Sequence, residues 1–222
     1  MSAIFLSHNI SSTTPLYGGE KTISFKTLSS IVSGDSANTL NITLPNHSGT
    51  HVDVPYHFFD DGKKITDYPA SFWCFERPQC IDLTVKADQL ISNEHVAGLI
   101  NRNTDLLMIR TGFENYRDQR EYWEHNPGLS AAFAKELREG FPHIRAVGMD
   151  IISVTARQHR IEGRMAHGEF LGQHGKSEPI VLIEDMSLRH YSPKFKQVII
   201  LPLMIQGADG APCTVIAKCL GD

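Results

Sequence analysis

The sequence has no long apolar run and no excess of basic residues. Its 222 residues include 21 Lys and Arg against 25 Asp and Glu, a formal net charge of -4. Binding to a nucleic-acid duplex is favoured by a basic excess, and crossing a bilayer takes about 20 consecutive apolar residues. We therefore expect neither a nucleic-acid nor a membrane partner. The N-terminal segment MSAIFLSHNISSTTP lacks the features of a signal peptide, so we expect a cytoplasmic protein.

Cysteine is scarce, and the sequence motifs of two large enzyme classes are missing. The four cysteines form two pairs, each spaced by six positions, whereas a zinc ribbon spaces its cysteines more closely. We expect free thiols in a reducing compartment. The sequence contains no GxxxxGK[ST] phosphate loop and no G-x-S-x-G nucleophile elbow, which argues against a P-loop nucleotide site and a serine nucleophile.

The pattern of apolar residues predicts a mixed α/β fold. Segments rich in β-branched and aromatic residues are predicted strands: 22–31, 38–44, 80–85, 106–110, 146–150, 180–183, 197–205 and 213–217. Several are nearly continuous apolar runs, which suits strands covered on both faces. Because the sequence contains no linker, we expect one domain, 1–222, with more than one β-layer.

Predicted helices are fewer than predicted strands. The clearest is 131–139, with Ser130 as N-cap and Gly140 just past its end. Residues 87–100 are also expected to carry a helix. The charged segment 114–124 is expected to be a surface helix or an ordered loop.

Three of the eleven histidines lie within residues 47–58, HSGTHVDVPYHF. His47 and His51 have the spacing of a helical zinc site. Gly49, the β-branched neighbours and Pro55 disfavour a helix here. A turn followed by an extended segment fits the sequence better.

An extended segment places alternate residues on one face, which gathers the polar side chains of this motif. One face would carry His51, Asp53, Pro55 and His57. The other would direct Val52 and Val54 into the core, while a turn at Gly49 could return His47 beside His51. Two imidazoles and a carboxylate without a nearby thiolate suit zinc, manganese or iron.

The motif resembles the HxGTHxDxPxH signature of the cyclase family, which includes bacterial kynurenine formamidases and isatin hydrolases. Every fixed position of that pattern is present. Three further segments resemble the family: VGMDIISV at 147–154, MAHGEFL…IVLIEDMSL at 165–188, and LPLMIQGADGAP at 201–212. The resemblance covers most of the chain and implies a swivelling-type β/β/α architecture.

The resemblance implies a role for each matching residue of the motif. His47 and His51 would bind a first metal ion, and Asp53 would reach both ions of a two-metal site. His57 would stay unliganded and would accept and donate protons. The resemblance also implies one or two zinc or manganese ions per chain.

The second region would complete the metal site with His167 and Glu184. These two residues are farther apart than in the formamidases, because GQHGKSEP resembles an insertion. His174 is therefore a rival ligand, although the local pattern AHGEFL favours His167.

Tyr17 aligns with a family position where formamidases carry an aromatic residue that lines the substrate pocket. It is the candidate substrate-binding residue. Asp150, at the end of a predicted strand, fits a structural turn and a pocket role equally well.

The expected metal ligands and the unliganded His57 together suggest hydrolysis of a small amide by metal-activated water. A bound divalent ion lowers the pKa of its water from 15.7 to about 7. The first hypothesis is a metal-dependent amidohydrolase that cleaves the C–N bond of an aryl formamide. Tyr17 and the insertion weaken it. The second is a ring-opening hydrolase of a cyclic amide of the isatin kind or a lactone, which the short chain and Glu184 weaken.

A third hypothesis, from another class, is a metal-stabilised binding protein without turnover. His57 argues against it, because a purely structural metal site does not need an unliganded histidine beside it. The partner is expected to be a small-molecule substrate, and the resemblance implies a homodimer or homotetramer.

Overall fold

The computed structural model describes residues 2–172, 177–189 and 195–219. Within these residues the strands are β1 (Ala3–Phe5), β2 (Ser24–Ser29), β3 (Thr39–Thr43), β4 (His51–Asp53), β5 (Cys74–Phe75), β6 (Pro78–Asp82), β7 (Leu90–Ile91), β8 (Leu106–Arg110), β9 (Gly128–Leu129), β10 (Ala146–Met149), β11 (Val181–Glu184), β12 (Phe195–Pro202) and β13 (Gly210–Cys219). The α-helices are α1 (Asn93–Val96), α2 (Glu121–Glu124), α3 (Ala131–Gly140) and α4 (Arg160–Leu171).

One large mixed sheet organises the molecule. Its strand order is β5–β12–β13–β4–β11–β10–β8–β6, and β1 pairs with β13. The strands β6, β8, β10 and β11 run parallel to one another, and β4 joins them antiparallel to β11. Since β5 and β6 stand at opposite ends of this order and are separated by residues 76–77 alone, the sheet is nearly closed.

The apolar core has two parts, one on each face of the parallel strands. Leu107 and Ile109 of β8 belong to a cluster with Phe133 of α3. The alternate residues Leu106 and Met108 belong to a second cluster, inside the curved sheet. The prediction of strands covered on both faces is confirmed, as is the mixed α/β domain with more than one β-layer.

The predicted helix at 131–139 is confirmed with a small change at its end. Ser130 is the N-cap, and its Oγ accepts a hydrogen bond from the Phe133 amide at 3.2 Å. Gly140 was expected outside the helix but forms its last residue. Without a positive φ it is not a left-handed cap, and Phe141 follows as C-cap instead.

The helix expected within 87–100 is almost absent. Asp88 and Gly98 have φ values of 60° and 73°, which a right-handed helix does not permit. Between them, β7 pairs in parallel with β9, which leaves α1 as a single turn. Tertiary pairing therefore outweighs local helix propensity in this segment.

Of the two alternatives expected for the segment 114–124, the ordered loop is the correct one, and six of its eleven residues are exposed. A 3-10 helix, Phe113–Tyr116, precedes the single turn of α2. Glu114 and Tyr122 are buried, and the Tyr122 hydroxyl donates a hydrogen bond to Asp185 at 2.6 Å. The buried Tyr122 side chain of this mostly exposed segment thus supports the end of β11.

The sequence pattern does not predict α4. Gly163 and Gly168 reduce its helix propensity, and no side chain caps its start at His159. Packing compensates, because Ala166 and Phe170 are fully buried in the core cluster on the helical side of the sheet.

Two predicted strands end earlier than expected. The strand predicted at 197–205 ends at Pro202, and residues 203–209 form a loop that leads to β13. The strand predicted at 22–31 ends at Ser29 and is followed by the 3-10 helix Ile31–Ser33.

The four cysteines have free thiols, as predicted. Cys213 and Cys219 are buried, whereas Cys74 and Cys80 are half-buried. Among the described residues, no helix combines the length and the apolar character needed to cross a membrane.

Candidate metal centre

The turn predicted before β4 is present at Gly49. Its φ of 61° lies in the left-handed region, which favours glycine. β4 follows, with His51 and Asp53 on the face toward the cavity and Val52 fully buried on the opposite face. The predicted alternation is confirmed for these three residues.

The alternation does not continue to His57. Val54 is the last extended residue, and Pro55 begins the 3-10 helix Pro55–His57. Proline fixes φ near -65°, which suits a helical start and ends the strand. The turn nevertheless carries His57 to the cavity that His51 lines.

His51 is held so that one ring nitrogen faces two carboxylates. Its Nδ1 donates a hydrogen bond to the Gly49 carbonyl at 2.8 Å. Its Nε2 lies 3.4 Å from Oδ1 of Asp53 and 3.4 Å from Oε2 of Glu184. A ring whose Nδ1–H binds a carbonyl presents the lone pair of Nε2, which is the arrangement of a metal-ligating histidine.

Glu184 ends β11 and is buried. Its Oε1 accepts hydrogen bonds from the Val154 amide at 2.7 Å and from the Ser153 hydroxyl at 3.2 Å. Its other oxygen faces His51. These bonds fix the carboxylate in one orientation toward the cavity.

His167 projects from α4 toward the same carboxylates. Its Nδ1 donates to the Gly163 carbonyl at 2.9 Å, and its Nε2 lies 3.7 Å from Oε1 of Glu184 and 3.9 Å from Oδ2 of Asp53. The Phe58 ring stacks on the imidazole at a centroid distance of 4.8 Å. His174, the rival candidate, lies outside the described residues.

His47 and His57 meet at a carboxylate that the sequence analysis did not identify. Nδ1 of His47 donates to Oδ1 of Asp53 at 2.8 Å, and its Nε2 donates to Oδ2 of Asp209 at 3.0 Å. Nδ1 of His57 lies 2.7 Å from the same Oδ2. The sequence signal for Asp209 is the GADG turn at 207–210, within the segment 201–212 that resembles the cyclase family.

The charges of this cluster shift one another's pKa values. Burial lowers the pKa of His47, but its hydrogen bonds to two carboxylates outweigh burial and raise the pKa to about 10. Burial raises the pKa of Glu184, yet His167 and His51 outweigh it and hold the pKa well below the usual range. Burial and Glu184 raise the pKa of Asp53, but the imidazoles lower it overall.

The donor atoms suit a divalent cation. Among the described residues, two groups offer ligand atoms within 4.8 Å of one another: His47, Asp53 and His57, and His51, Asp53 and Glu184. Asp53 is common to both. Imidazole and carboxylate donors are those that zinc and manganese accept, and a cation offsets the cost of two buried carboxylates.

The geometry also places His57 within reach of a cation, although the sequence analysis expects it to remain unliganded. His57 belongs to the first of these two groups. The metal content of a His57 variant distinguishes a ligand from an uncoordinated base.

The cavity above this cluster has a volume of about 240 Å³. The apolar part of its wall comes from Pro15, Tyr17, Phe58 and Ile152. The Tyr17 ring lies 5.6 Å from the Arg157 guanidinium carbon, and burial raises the pKa of its phenol. Tyr17 therefore lies at the cavity, and its role in binding the substrate stays a prediction.

Asp150 is not among the residues that line this cavity. One oxygen accepts hydrogen bonds from the amide and hydroxyl of Thr111, and the other accepts one from the Gly112 amide at 2.7 Å. Burial outweighs these bonds and raises the pKa of Asp150 to about 6. Its side chain thus holds the turn after β8.

A nearly closed mixed sheet with an HxGTHxDxPxH cluster at an open cavity defines the class of this protein. The chain belongs to the cyclase family, because residues 4–156 match the family model described as "Putative cyclase". A kynurenine formamidase of Bacillus cereus is 27% identical to this chain over 215 residues, which cover 97% of this chain and 96% of the relative.

Two solved structures share the fold over nearly their whole length. Isatin hydrolase A from Labrenzia aggregata, bound to benzyl benzoate, superposes with a TM-score of 0.82 at 21% identity, covering 97% of this chain and 93% of that chain. A potential metal-dependent hydrolase with cyclase activity superposes with a TM-score of 0.77 at 20% identity, covering 100% and 99% of the two chains.

Proposed function

We propose that this protein is a metal-dependent hydrolase that cleaves the C–N amide bond of a small aromatic substrate, in the manner of an arylformamidase. One observation carries the proposal: Asp53 belongs to two adjoining His/carboxylate groups at an open cavity. The kynurenine formamidase relative and the fold shared with hydrolases support the same conclusion.

The proposed ligands are His47, His51, Asp53, His167 and Glu184, which would hold one or two zinc or manganese ions per chain. A bound ion supplies hydroxide at neutral pH and polarises the substrate carbonyl. The chain's own contribution is to hold the imidazoles in place through their second nitrogens, as the Gly49 and Gly163 carbonyls do for His51 and His167.

We assign proton transfer to His57. Its Nδ1 is hydrogen-bonded to Asp209, and no group among the described residues forms a hydrogen bond with its Nε2. Nε2 would accept a proton from the attacking water and donate it to the departing nitrogen. An uncoordinated histidine at the cavity also favours turnover over the alternative of a binding protein that merely contains a structural metal.

The apolar wall of the cavity supports an aromatic substrate. Phe58, Ile152 and Tyr17 provide flat or branched apolar surface beside the metal cluster. Ring-opening hydrolysis of a cyclic amide or lactone is the second candidate, because the isatin hydrolase fold superposes on this chain over nearly its whole length. The same hydroxide would serve both reactions.

A hydrolysis screen tests the proposal. Zinc-loaded and manganese-loaded protein would be assayed with formanilide, isatin, a hydantoin and a lactone, with Asp53→Ala as the inactive control. Turnover of formanilide that Asp53→Ala abolishes supports the amidohydrolase, and preference for isatin or the lactone supports the second candidate. Absence of turnover on all four in metal-loaded protein contradicts both.

We further propose that the protein forms a homodimer or homotetramer and works in the cytoplasm. In the described residues β2 and β3 pair only with each other, and the cross-strand neighbours Phe25 and Ile42 are exposed together with Leu40. An uncovered apolar face on a two-stranded hairpin supports self-association. The free thiols support a reducing compartment.

Light scattering of the purified protein tests the oligomer. The double variant Phe25→Ser/Ile42→Ser should dissociate it, whereas Lys26→Ser, a change of the neighbouring residue on the opposite face of β2, should not. A wild-type protein that is monomeric at micromolar concentration contradicts the proposed homo-oligomer.

A further inference from the structure

The loop 203–209 ends at the candidate site, and its last residue takes part in a four-residue hydrogen-bond network. Gly207, with φ of 80°, allows the turn that precedes Asp209. Oδ2 of Asp209 accepts from Nδ1 of His57 at 2.7 Å and from Nε2 of His47 at 3.0 Å. Its Oδ1 accepts from the Asn46 amide nitrogen at 2.6 Å.

Each partner of the Asp209 carboxylate is a donor. The Asn46 amide nitrogen can only donate, and an ionised carboxylate can only accept. The nitrogen of His57 that faces Asp209 must therefore carry the hydrogen. In the neutral ring this leaves the lone pair on Nε2, the nitrogen that a proton acceptor at the cavity would use.

We propose that Asp209 is a positioning residue that holds His57 in its Nδ1–H tautomer and fixes the direction of its Nε2. This inference rests on the hydrolase function proposed above. It assigns a role to the GADG turn at 207–210.

The proton balance of the proposed hydrolysis is simple. Water attacks the amide carbon, and one of its protons passes to Nε2 of His57. The C–N bond then breaks, and the nitrogen leaves with that proton, so that amide and water give an acid and an amine. Asp209 stays ionised throughout and accepts the Nδ1–H bond before, during and after the transfer, as the aspartate of a catalytic triad does.

An asparagine cannot replace this carboxylate. The three donors approach both oxygens, whereas an amide offers one accepting oxygen and one donating nitrogen. In Asp209→Asn, either Asn46 or the two imidazoles would face another donor. The backbone is anchored independently, because the Asp209 carbonyl accepts from the Val54 amide at 3.1 Å. We therefore expect the variant to fold.

The first test is a double-mutant cycle in zinc-loaded protein with formanilide as the probe. Asp209→Asn should lower kcat by roughly 10²–10⁴ with little change in KM, with zinc content and melting temperature retained. In the His57→Ala background the same substitution should cost nothing further, since two residues that act as one unit are not additive. Asp61→Asn, the same charge change at an exposed site, is the matched control.

A loss of activity on adding Asp209→Asn to His57→Ala would overturn the proposal, because Asp209 would then act through something other than His57. An unchanged kcat in Asp209→Asn alone would overturn it too. Loss of zinc in the single variant would instead make Asp209 a support of the metal site.

The second test does not depend on activity. Nitrogen-15 NMR of zinc-loaded protein, with His57 assigned by the His57→Ala variant, reports which ring nitrogen carries the hydrogen. We expect Nδ1–H in the wild type and a shift toward Nε2–H in Asp209→Asn. A wild-type His57 with the hydrogen on Nε2 contradicts the inference. The expected tautomer in a protein that hydrolyses none of the four substrates would instead contradict the proposed function alone.

Discussion

His51 and Glu184 are direct cross-strand partners in the antiparallel pair of β4 and β11, with Nε2 of His51 3.4 Å from Oε2 of Glu184. The same register places Asp53 opposite Leu182. Strand pairing thus joins the histidine motif to a carboxylate more than half the chain away in sequence. The candidate metal centre depends on this pairing more than on either segment alone.

Removing the Glu184 carboxylate should lower metal occupancy. We expect Glu184→Ala to lose most of the bound zinc or manganese, because the remaining imidazoles would lack a carboxylate fixed by Val154 and Ser153. Elemental analysis after purification without chelators measures the ions per chain.

The matched variants for that experiment are His174→Ala and Glu136→Ala. Glu136 is exposed on α3, so its loss should leave metal content unchanged. A greater loss of metal in His174→Ala than in Glu184→Ala would move the ligand assignment to the segment around His174.

Alanine substitutions at two glycines of α4 should change the stability of the protein in opposite directions. A Cβ at Gly163 would overlap Thr155, whose hydroxyl lies 3.2 Å from Nδ1 of His167, whereas nothing lies within 4 Å of a Cβ at Gly168. Gly163→Ala should therefore destabilise the protein by about 1–3 kcal/mol and weaken metal binding. Gly168→Ala should stabilise it by up to about 1 kcal/mol through helix propensity.

Urea unfolding and a metal titration of the two variants check this prediction. Equal stability of both variants would show that α4 does not approach Thr155 as closely as the structure has it.

The metal-free protein should lose stability at alkaline pH because of His47. Its pKa is about 10 in the folded state and 6.5 as the ordinary value, so the stabilisation is complete below pH 6.5 and disappears as the pH approaches 10. Between pH 7 and 9 the free energy of unfolding should fall by about 1.4 kcal/mol per pH unit from this group. Unfolding of chelator-treated protein at several pH values measures the slope.

His47→Gln should flatten that slope, and bound metal should also reduce it, because a ligating imidazole has already lost its proton. A slope that is the same in wild type and His47→Gln would assign the pH dependence to another group.

Sequence reasoning located β8 correctly because a run of apolar residues bounded by polar ones suits a strand buried on both faces. It also predicted the turn at Gly49 and the alternation of cavity-facing and core-facing side chains through Asp53. Glycine and β-branched residues favour these backbone conformations through local interactions alone. The 3-10 turn at Pro55 was missed, although the restriction on proline is local as well.

The parts of the fold and of the site that the sequence does not predict depend on tertiary contacts. α4 forms although Gly163 and Gly168 disfavour it, because Phe170 and its neighbours pack against the sheet. The hydrogen bond between His57 and Asp209 requires the loop before β13 to lie against the turn after β4. No local sequence pattern predicts this contact. Sequence reasoning therefore found the motif residues but not the carboxylate that supports them.

In the proposed hydrolase a cation binds beside His57 without using it as a ligand. The most direct test is the metal content of His57→Ala compared with that of His51→Ala, both purified without chelators. We expect His57→Ala to retain the wild-type one or two ions per chain and His51→Ala to lose them. Loss of the metal from His57→Ala would contradict it, whatever metal His51→Ala retains.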